Sequence, residues 1–159
     1  MLAGHAGLAR LVRRDGVARP NRAAPMSSRP RLDGLVSWRA ARALAAAVHR
    51  ATGDPPFHAD PELRAVLRAA ATDVMTAIAE GYEQRTCAEF DRRLAAALGA
   101  TARLESQVCV AEDMGLLTRD ASLRLRRRVA EAADLIHALR QAVTRYQRLQ
   151  AMPSPARVN

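Results

Sequence analysis

The stretch that decides the fold is TCAEFDRRLAAALGATARLESQVCVA, residues 86–111. Its apolar and small side chains recur alternately four and three residues apart, which places them in one stripe along an α-helix. Thr86 and Glu89 form a capping box at the start: the Thr86 hydroxyl can accept from the Glu89 amide, and the carboxylate can reach back. Gly115 is predicted to end this helix. The stripe consists of Phe90, Leu94, Ala97, Thr101, Leu104, Val108 and Ala111.

Three further helices are predicted around this stretch. The first covers residues 34–51, with Asp33 as its N-cap. The second has Asp60 as its cap and Pro61 at its first position, where the missing N–H of proline costs nothing. The fourth is capped by Thr118 or Asp120 and ends before Pro153. Their stripes are Trp38, Ala41, Ala45, Val48 and Thr52; Leu63, Leu67, Ala70, Val74, Ala77 and Gly81; and Leu125, Val129, Ala132, Ile136, Leu139, Val143 and Tyr146.

The predicted fold is all-α: an antiparallel up-down-up-down four-helix bundle with a left-handed supercoil, assigned to residues 33–151. Alanine supplies 35 of the 159 residues and aromatics only 3%, which favours helices over a β-sandwich or barrel. The second, third and fourth helices are joined by very short connections, which force neighbours to run antiparallel. Apolar stripes that alternate four and three residues apart predict the left-handed supercoil.

Larger apolar residues outside the stripes widen the apolar face of several helices beyond what one small bundle needs. We therefore expect the protein to associate with copies of itself. The residues that widen the face are Leu44, Val66, Ile78, Leu98, Leu116, Leu135 and Leu149.

The formal net charge of +9 is concentrated near the N-terminus, since residues 1–31 hold seven arginines and one acid. Residues 1–32 are predicted to be a disordered, arginine-rich tail, and residues 152–159 a second disordered tail. Translation starting at Met26 would remove five of these arginines. A basic arm favours contact with a polyanion, either nucleic acid or an acidic membrane surface. The alternative is a coding bias towards arginine and alanine.

A second concentration of charge lies on the fourth helix, where residues 119–148 hold eight arginines and three acids. An exposed arginine stripe of this kind can bind RNA or DNA phosphates through charge and bidentate hydrogen bonds. The alternative is a solvated face partly paired with Glu131. The residues predicted to contact nucleic acid are Arg124, Arg126, Arg127, Arg128, Arg140, Arg145 and Arg148.

Patterns that would indicate catalysis or a bound cofactor are missing from the sequence. The chain has no Glu-x-x-His pair of the di-iron type and no phosphate-binding glycine loop. Cys87 and Cys109 fall on one helix, roughly 33 Å apart, too far to form a disulfide. They favour a reducing, cytoplasmic location. No apolar run is long enough to span a membrane. The alternative is an unrecognised enzyme with Cys87 as nucleophile and His137 as its base, although no motif frames this pair. We predict a non-enzymatic protein without metal or cofactor.

Several ordered motifs resemble one family of bacterial four-helix-bundle proteins. They are IAEGYEQRTCAEF at residues 78–90, LESQ at 104–107 and DMGLL at 113–117, and Trp38 also matches. This is similar to the proteins encoded in intervening sequences of 23S ribosomal RNA genes, over about residues 33–142. Ala77 stands where that family usually has asparagine, so any polar contact of that asparagine is absent here.

The resemblance implies a homo-oligomer, commonly a pentamer, without catalytic activity. It also gives structural or oligomer roles to Glu80, Gly81, Thr86, Glu89, Phe90 and Glu105. We expect Glu105 to pair with an arginine of a neighbouring helix or subunit, Glu80 to serve the end of the second helix or an oligomer contact, and Gly81 and Gly99 to mark close helix crossings.

The predicted function is RNA-associated binding through arginine–phosphate contacts. A related group of bundles serves as accessory proteins of diversity-generating retroelements. The alternative prediction is therefore a scaffold that holds a reverse transcriptase.

Overall fold

Four α-helices account for most of residues 32–151, the part of the chain that the computed structural model describes. They are α1 (Val36–Ala51), α2 (Pro61–Tyr82), α3 (Cys87–Asp113) and α4 (Arg119–Ala151). Short 3-10 helices at Leu32–Gly34 and Pro55–His58 precede α1 and α2. These residues contain no β-strand, which confirms the all-α prediction. The tails predicted from the sequence lie outside the described residues, except that Leu32 belongs to the first 3-10 helix.

The core has two halves, and each half draws on opposite ends of successive helices. The C-terminal parts of α1 and α3 meet the N-terminal parts of α2 and α4 in one half, and the remaining ends meet in the other. Representative residues are Val48, Leu67, Val108 and Val129 in the first half, and Ala41, Ile78, Leu94 and Ile136 in the second. This alternation fits the up-down-up-down arrangement. Each helix packs against two neighbours, with α1 against α4 closing the ring. The left-handed supercoil stays a prediction.

The predicted stripe of α3 is confirmed, because all seven of its residues are buried. On α4 the stripe is buried from Leu125 to Val143, while Tyr146 is half-buried. Alanine at many of these positions keeps the helices close, so the larger side chains, such as Phe90 and Leu94, supply most of the core volume.

Three helix ends follow the predicted chemistry. Asp60 accepts from the Leu63 amide at 2.8 Å, and Thr118 accepts from the Ala121 amide at 3.2 Å, so Thr118 rather than Asp120 caps α4. Gly115 adopts a positive φ of 72° just after α3, and the Leu116 amide bonds the Ala111 carbonyl at 2.9 Å. This is a Schellman ending, in which glycine tolerates the left-handed backbone.

The prediction that Asp33 caps α1 is wrong. Leu35 occupies the N-cap position, no side chain caps the helix, and Asp33 lies in the preceding 3-10 helix. Leu35 is only 2% exposed. Burial of this leucine in the core therefore fixes where the helix begins, at the expense of a side-chain cap.

The connection between α1 and α2 contains two features that the sequence pattern did not predict. Phe57 is completely buried although it lies in a segment predicted only to break the helix. Arg68 of α2 donates from Nε to the Thr52 hydroxyl at 2.8 Å and from Nη2 to the Thr52 carbonyl at 3.1 Å. The guanidinium thereby satisfies acceptors at the C-terminal end of α1, which would otherwise lack a partner.

Part of the surplus apolar surface is used within the bundle itself. Leu44 and Ile78, two of the residues predicted to widen the apolar face of their helices, are fully buried within the bundle. Val66 and Leu149 do remain exposed, at 45% and 65%. The apolar surface that is left for contacts between copies is therefore smaller than the sequence suggested.

Gly81 marks a close approach of α2 and α3. A β-carbon at this position would lie 2.8 Å from Cδ2 of Phe90 and 2.9 Å from Cβ of Arg93. The prediction that Gly99 also marks a close helix crossing is wrong, because no atom would lie within 4 Å of a β-carbon added at this position. The two glycines therefore form a matched pair.

We expect Gly81→Ala to lower the free energy of unfolding by about 1 to 3 kcal/mol, because the ring of Phe90 and the backbone of α3 must move. Gly99→Ala should raise it by about 0.5 to 1 kcal/mol, since alanine is the better helix former and meets nothing. Urea unfolding followed by circular dichroism measures both. Equal stability of the Gly81→Ala variant and the unmodified protein would contradict the close approach.

Candidate nucleic-acid interface

α4 is the most positively charged helix of the bundle. It carries eight arginines against Asp120, Glu131 and Asp134, a net charge of +5. Seven of the eight arginines are those predicted to contact nucleic acid. The structure divides these seven into two groups, according to whether a carboxylate of α3 holds the guanidinium.

Five of the seven arginines are exposed, and none of them makes an ion pair or hydrogen bond with another residue of the 32–151 region. Glu131, the partner that the sequence offered to this face, pairs with none of them. Their guanidinium groups therefore present their donors to solvent. The five residues are Arg124, Arg127, Arg128, Arg145 and Arg148.

Arg140 belongs to the second group, because Asp91 of α3 holds it by two hydrogen bonds. Nε and Nη2 of Arg140 donate to the two carboxylate oxygens at 2.8 and 2.9 Å. About a third of each side chain is exposed. The Arg140 guanidinium lowers the pKa of the Asp91 carboxyl, mainly through the hydrogen bonds, and the pKa of Arg140 is raised in turn. The contact of Arg140 with nucleic acid stays a prediction, and two of its donors are already bound to Asp91.

Arg126 is also engaged, since its Nε lies 3.4 Å from Oε1 of Glu105 on α3. Glu105 thus pairs with a neighbouring helix of the same chain, one of the two options that the sequence left open. The pair is half-exposed and long, so it holds the guanidinium less firmly than Asp91 holds Arg140. Together the two pairs tie α4 to α3 near both ends of the contact.

The other family-motif residues lie at the α2–α3 junction. Glu80 pairs with Arg93 at 2.9 Å, and Asp73 pairs with Arg103 at 3.2 Å, so α2 and α3 are also cross-linked by charge. The Thr86 hydroxyl accepts from the Glu89 amide at 3.2 Å and donates to the Glu89 carboxylate at 2.8 Å. The second bond differs from the expected capping box, in which the Glu89 carboxylate would accept a hydrogen bond from the backbone amide of Thr86. Phe90 and Gly81 are buried beneath this junction.

Sequence reasoning missed the contribution of α1 to the basic surface. This helix carries Arg39, Arg42 and Arg50 and no acid, and it packs against α4. α1 and α4 together hold eleven arginines against three acids, a net charge of +8, whereas the remainder of residues 32–151 has a net charge of −6. The side of the bundle formed by α1 and α4 is therefore basic, and the rest of residues 32–151 is acidic. Adding the charges helix by helix reveals this separation, once the helices are known to be neighbours.

An open groove of about 400 Å³ follows the C-terminal half of α4. Three cations contribute to it: the paired Arg140 and the free Arg145 and Arg148. Neutral donors lie between them along the helix, and Asp91 is the one acid of the lining. The other residues of the groove are His137, Gln141 and Thr144.

Within residues 32–151, no group of three or more His, Cys, Asp or Glu side chains is arranged to hold a metal ion. Cys87 and Cys109 are free and half-buried. Burial raises the pKa of the Cys87 thiol, which disfavours the thiolate that a nucleophile needs. In the same region, no helix combines the length and the apolar character needed to cross a bilayer.

The four helices, and the ion pairs that join α3 to α2 and to α4, define a small four-helix-bundle protein with one basic side. The chain belongs to the family of 23S rRNA-intervening sequence proteins, whose family model matches residues 33–138. This match covers α1, α2, α3 and more than half of α4. The resemblance stated from the IAEG, LESQ and DMGLL segments is thereby confirmed. No curated protein matches the chain.

The pairing of Asp91 with Arg140 has a consequence for stability at low pH. Because the pKa of Asp91 is lowered in the folded protein, its stabilising effect is complete above the ordinary aspartate pKa of about 3.9 and is lost as the pH falls through the folded value. We expect Asp91→Asn to cost about 1 kcal/mol at neutral pH. The difference in unfolding free energy between the two proteins should shrink below about pH 4. Urea unfolding across this pH range measures it, and a constant difference would contradict the ion pair.

Proposed function

We propose that this protein is a non-enzymatic, homo-oligomeric RNA-binding bundle that holds RNA through arginine–phosphate contacts. The observation that carries the proposal is the set of five exposed arginines on α4 that have no carboxylate partner among residues 32–151. Guanidinium groups that have no carboxylate partner retain their full charge and their donors for phosphate oxygens. The family description, which refers to 23S rRNA intervening sequences, agrees with an RNA-associated role.

The contacts are expected to read the backbone of the RNA rather than its bases. Base recognition on an open surface relies on exposed aromatic side chains. Trp38 is half-buried with the Arg42 guanidinium 5.8 Å from its ring centre, and Tyr82 and Tyr146 are half-buried as well. Binding should therefore depend on charge and vary little with RNA sequence.

Self-association would multiply the arginine arrays, and the pentamer implied by the family resemblance is the form we propose. Exposed apolar residues support contacts between copies. Three of the six large ones lie on α1 and α4, namely Val36, Leu123 and Leu149, and the other three lie on α2, on α3 or directly after α3, away from the basic side. An oligomer that buries the latter three residues leaves α4 available to RNA. The residues on α2 and α3 are Val66 and Val110, with Met114 directly after α3.

A second candidate function is a scaffold for a reverse transcriptase of a diversity-generating retroelement. The acidic remainder of the bundle favours it, because a net charge of −6 outside α1 and α4 repels RNA and suits a basic protein surface. In that case the two sides would hold an enzyme and its RNA template together.

The test of RNA binding is the salt dependence of affinity. We expect the full-length protein to bind an oligo-uridine RNA of about 20 nucleotides, with an affinity that falls steeply between about 50 and 200 mM salt. Arg124→Ala, Arg127→Ala and Arg128→Ala combined should reduce the slope of log affinity against log salt by about 2, since each lost phosphate contact contributes about 0.7. Fluorescence anisotropy measures both quantities.

The matched control removes three arginines from outside α1 and α4: Arg64, Arg85 and Arg92. This control carries the same change in net charge and should keep nearly the whole slope. If the unmodified protein shows no affinity at low salt, or if the control loses as much slope as the α4 variant, the proposed function is wrong. Co-purification with a reverse transcriptase in the absence of RNA affinity would favour the scaffold instead.

A further inference from the structure

The groove along the C-terminal half of α4 is more than a patch of charge, because its donors are spaced along one helix face. His137, Gln141, Thr144, Arg145 and Arg148 line it at spacings of four, three, one and three residues. These spacings keep all five side chains on one side of the helix. At a rise of 1.5 Å per residue the row is about 16 Å long, which is enough for more than one nucleotide of a strand.

The Asp91–Arg140 pair forms the wall of the groove on the α3 side. Two hydrogen bonds fix the guanidinium of Arg140. The negative charge of Asp91 is neutralised by this pairing, so it does not repel an incoming anion. The lining then offers two uncommitted cations, Arg145 and Arg148, and no uncommitted acid. A site of this composition attracts an anion and excludes a cation.

The shape and the remaining chemistry distinguish between anions. The groove is open along the surface, so a polymer can enter and leave it. Thr144 and Gln141 add neutral donors between the cations, which suits phosphate oxygens that recur along a chain. No Phe, Tyr or Trp lines the groove, so His137 at one end of the row is its one ring on which a base could stack.

The geometry points to this groove as the subsite that holds the sugar–phosphate backbone of a single RNA strand. Arg145 and Arg148 neutralise phosphates, Thr144 and Gln141 donate hydrogen bonds to the same backbone, and Asp91 keeps Arg140 in the wall. The inference rests on the proposed function and goes further, because it separates a built subsite from the diffuse charge of the other exposed arginines.

The experiment compares three full-length double variants by anisotropy with the same oligo-uridine RNA. Arg145→Ala with Arg148→Ala removes the cations of the groove, and we expect about tenfold weaker binding or more. Gln141→Ala with Thr144→Val removes neutral donors only, so affinity should fall about threefold with an unchanged salt slope. The control, Arg85→Ala with Arg92→Ala, should stay within about twofold.

Circular dichroism establishes that each variant is folded, and Asp91→Asn supplies a further readout. This substitution removes the one acid of the groove and frees Arg140, so RNA affinity should rise even though the protein becomes less stable. A role of Asp91 in folding alone would not raise the affinity.

The outcomes separate the inference from the proposed function. If the unmodified protein does not bind RNA at low salt, the proposed function fails and the subsite with it. If it binds but the groove variants behave like the control, or Asp91→Asn does not bind more tightly, the subsite is wrong and RNA binding stands. If inorganic phosphate displaces the RNA as well as an equal phosphate concentration of unlabelled RNA does, the groove holds a small anion and the backbone assignment is overturned.

Discussion

The carboxylate of Asp91 and the guanidinium of Arg140 join α3 to α4 through two hydrogen bonds of 2.8 and 2.9 Å. A planar guanidinium paired in this way has a fixed orientation, unlike the flexible arginines around it. With the Glu105–Arg126 pair it aligns the two longest helices of the bundle. The same pairing decides which arginines of α4 are available to a ligand, because a carboxylate that holds one guanidinium leaves the others free.

The distribution of charge follows from the same pairing. α2 and α3 are joined by Glu80–Arg93 and Asp73–Arg103, and the two helices keep an excess of acids, eight against five arginines. α1 has no acid to offer α4, and the two neighbours accumulate positive charge on one side. A bundle of alanine-rich helices is narrow, so its opposite sides are close together and yet present opposite charge. In the proposed functions, the basic side attracts RNA and the acidic side attracts a protein.

Local spacing predicted much of this fold, and long-range register explains what it did not predict. The stripe of α3 and the caps at Asp60, Thr86 and Gly115 depend on neighbours in sequence, and the structure follows them. The start of α1 depended on how deeply Leu35 is buried, which only the assembled core determines.

Contacts between residues that are distant in the sequence could not be predicted either. Arg68 contacts Thr52, and Arg140 contacts Asp91, because the helices that carry them adopt one particular register. Alternating apolar stripes are compatible with several registers, so the sequence does not select this one. The sequence therefore identified α4 as the basic helix correctly, but it could not separate the paired arginines from the free ones.

The measurement that tests this account most directly is a titration of isotope-labelled protein with oligo-uridine RNA, followed through the arginine Nε–Hε signals in NMR spectra. The account predicts that the signals of the unpaired α4 arginines, including Arg145 and Arg148, shift as RNA is added. The Arg126 signal should keep its position, and the Arg140 signal, whose Nε–Hε is bonded to Asp91, should shift less than those of Arg145 and Arg148. Shifts confined to Arg85 and Arg92, or shifts of Arg140 before those of Arg145 and Arg148, would contradict it.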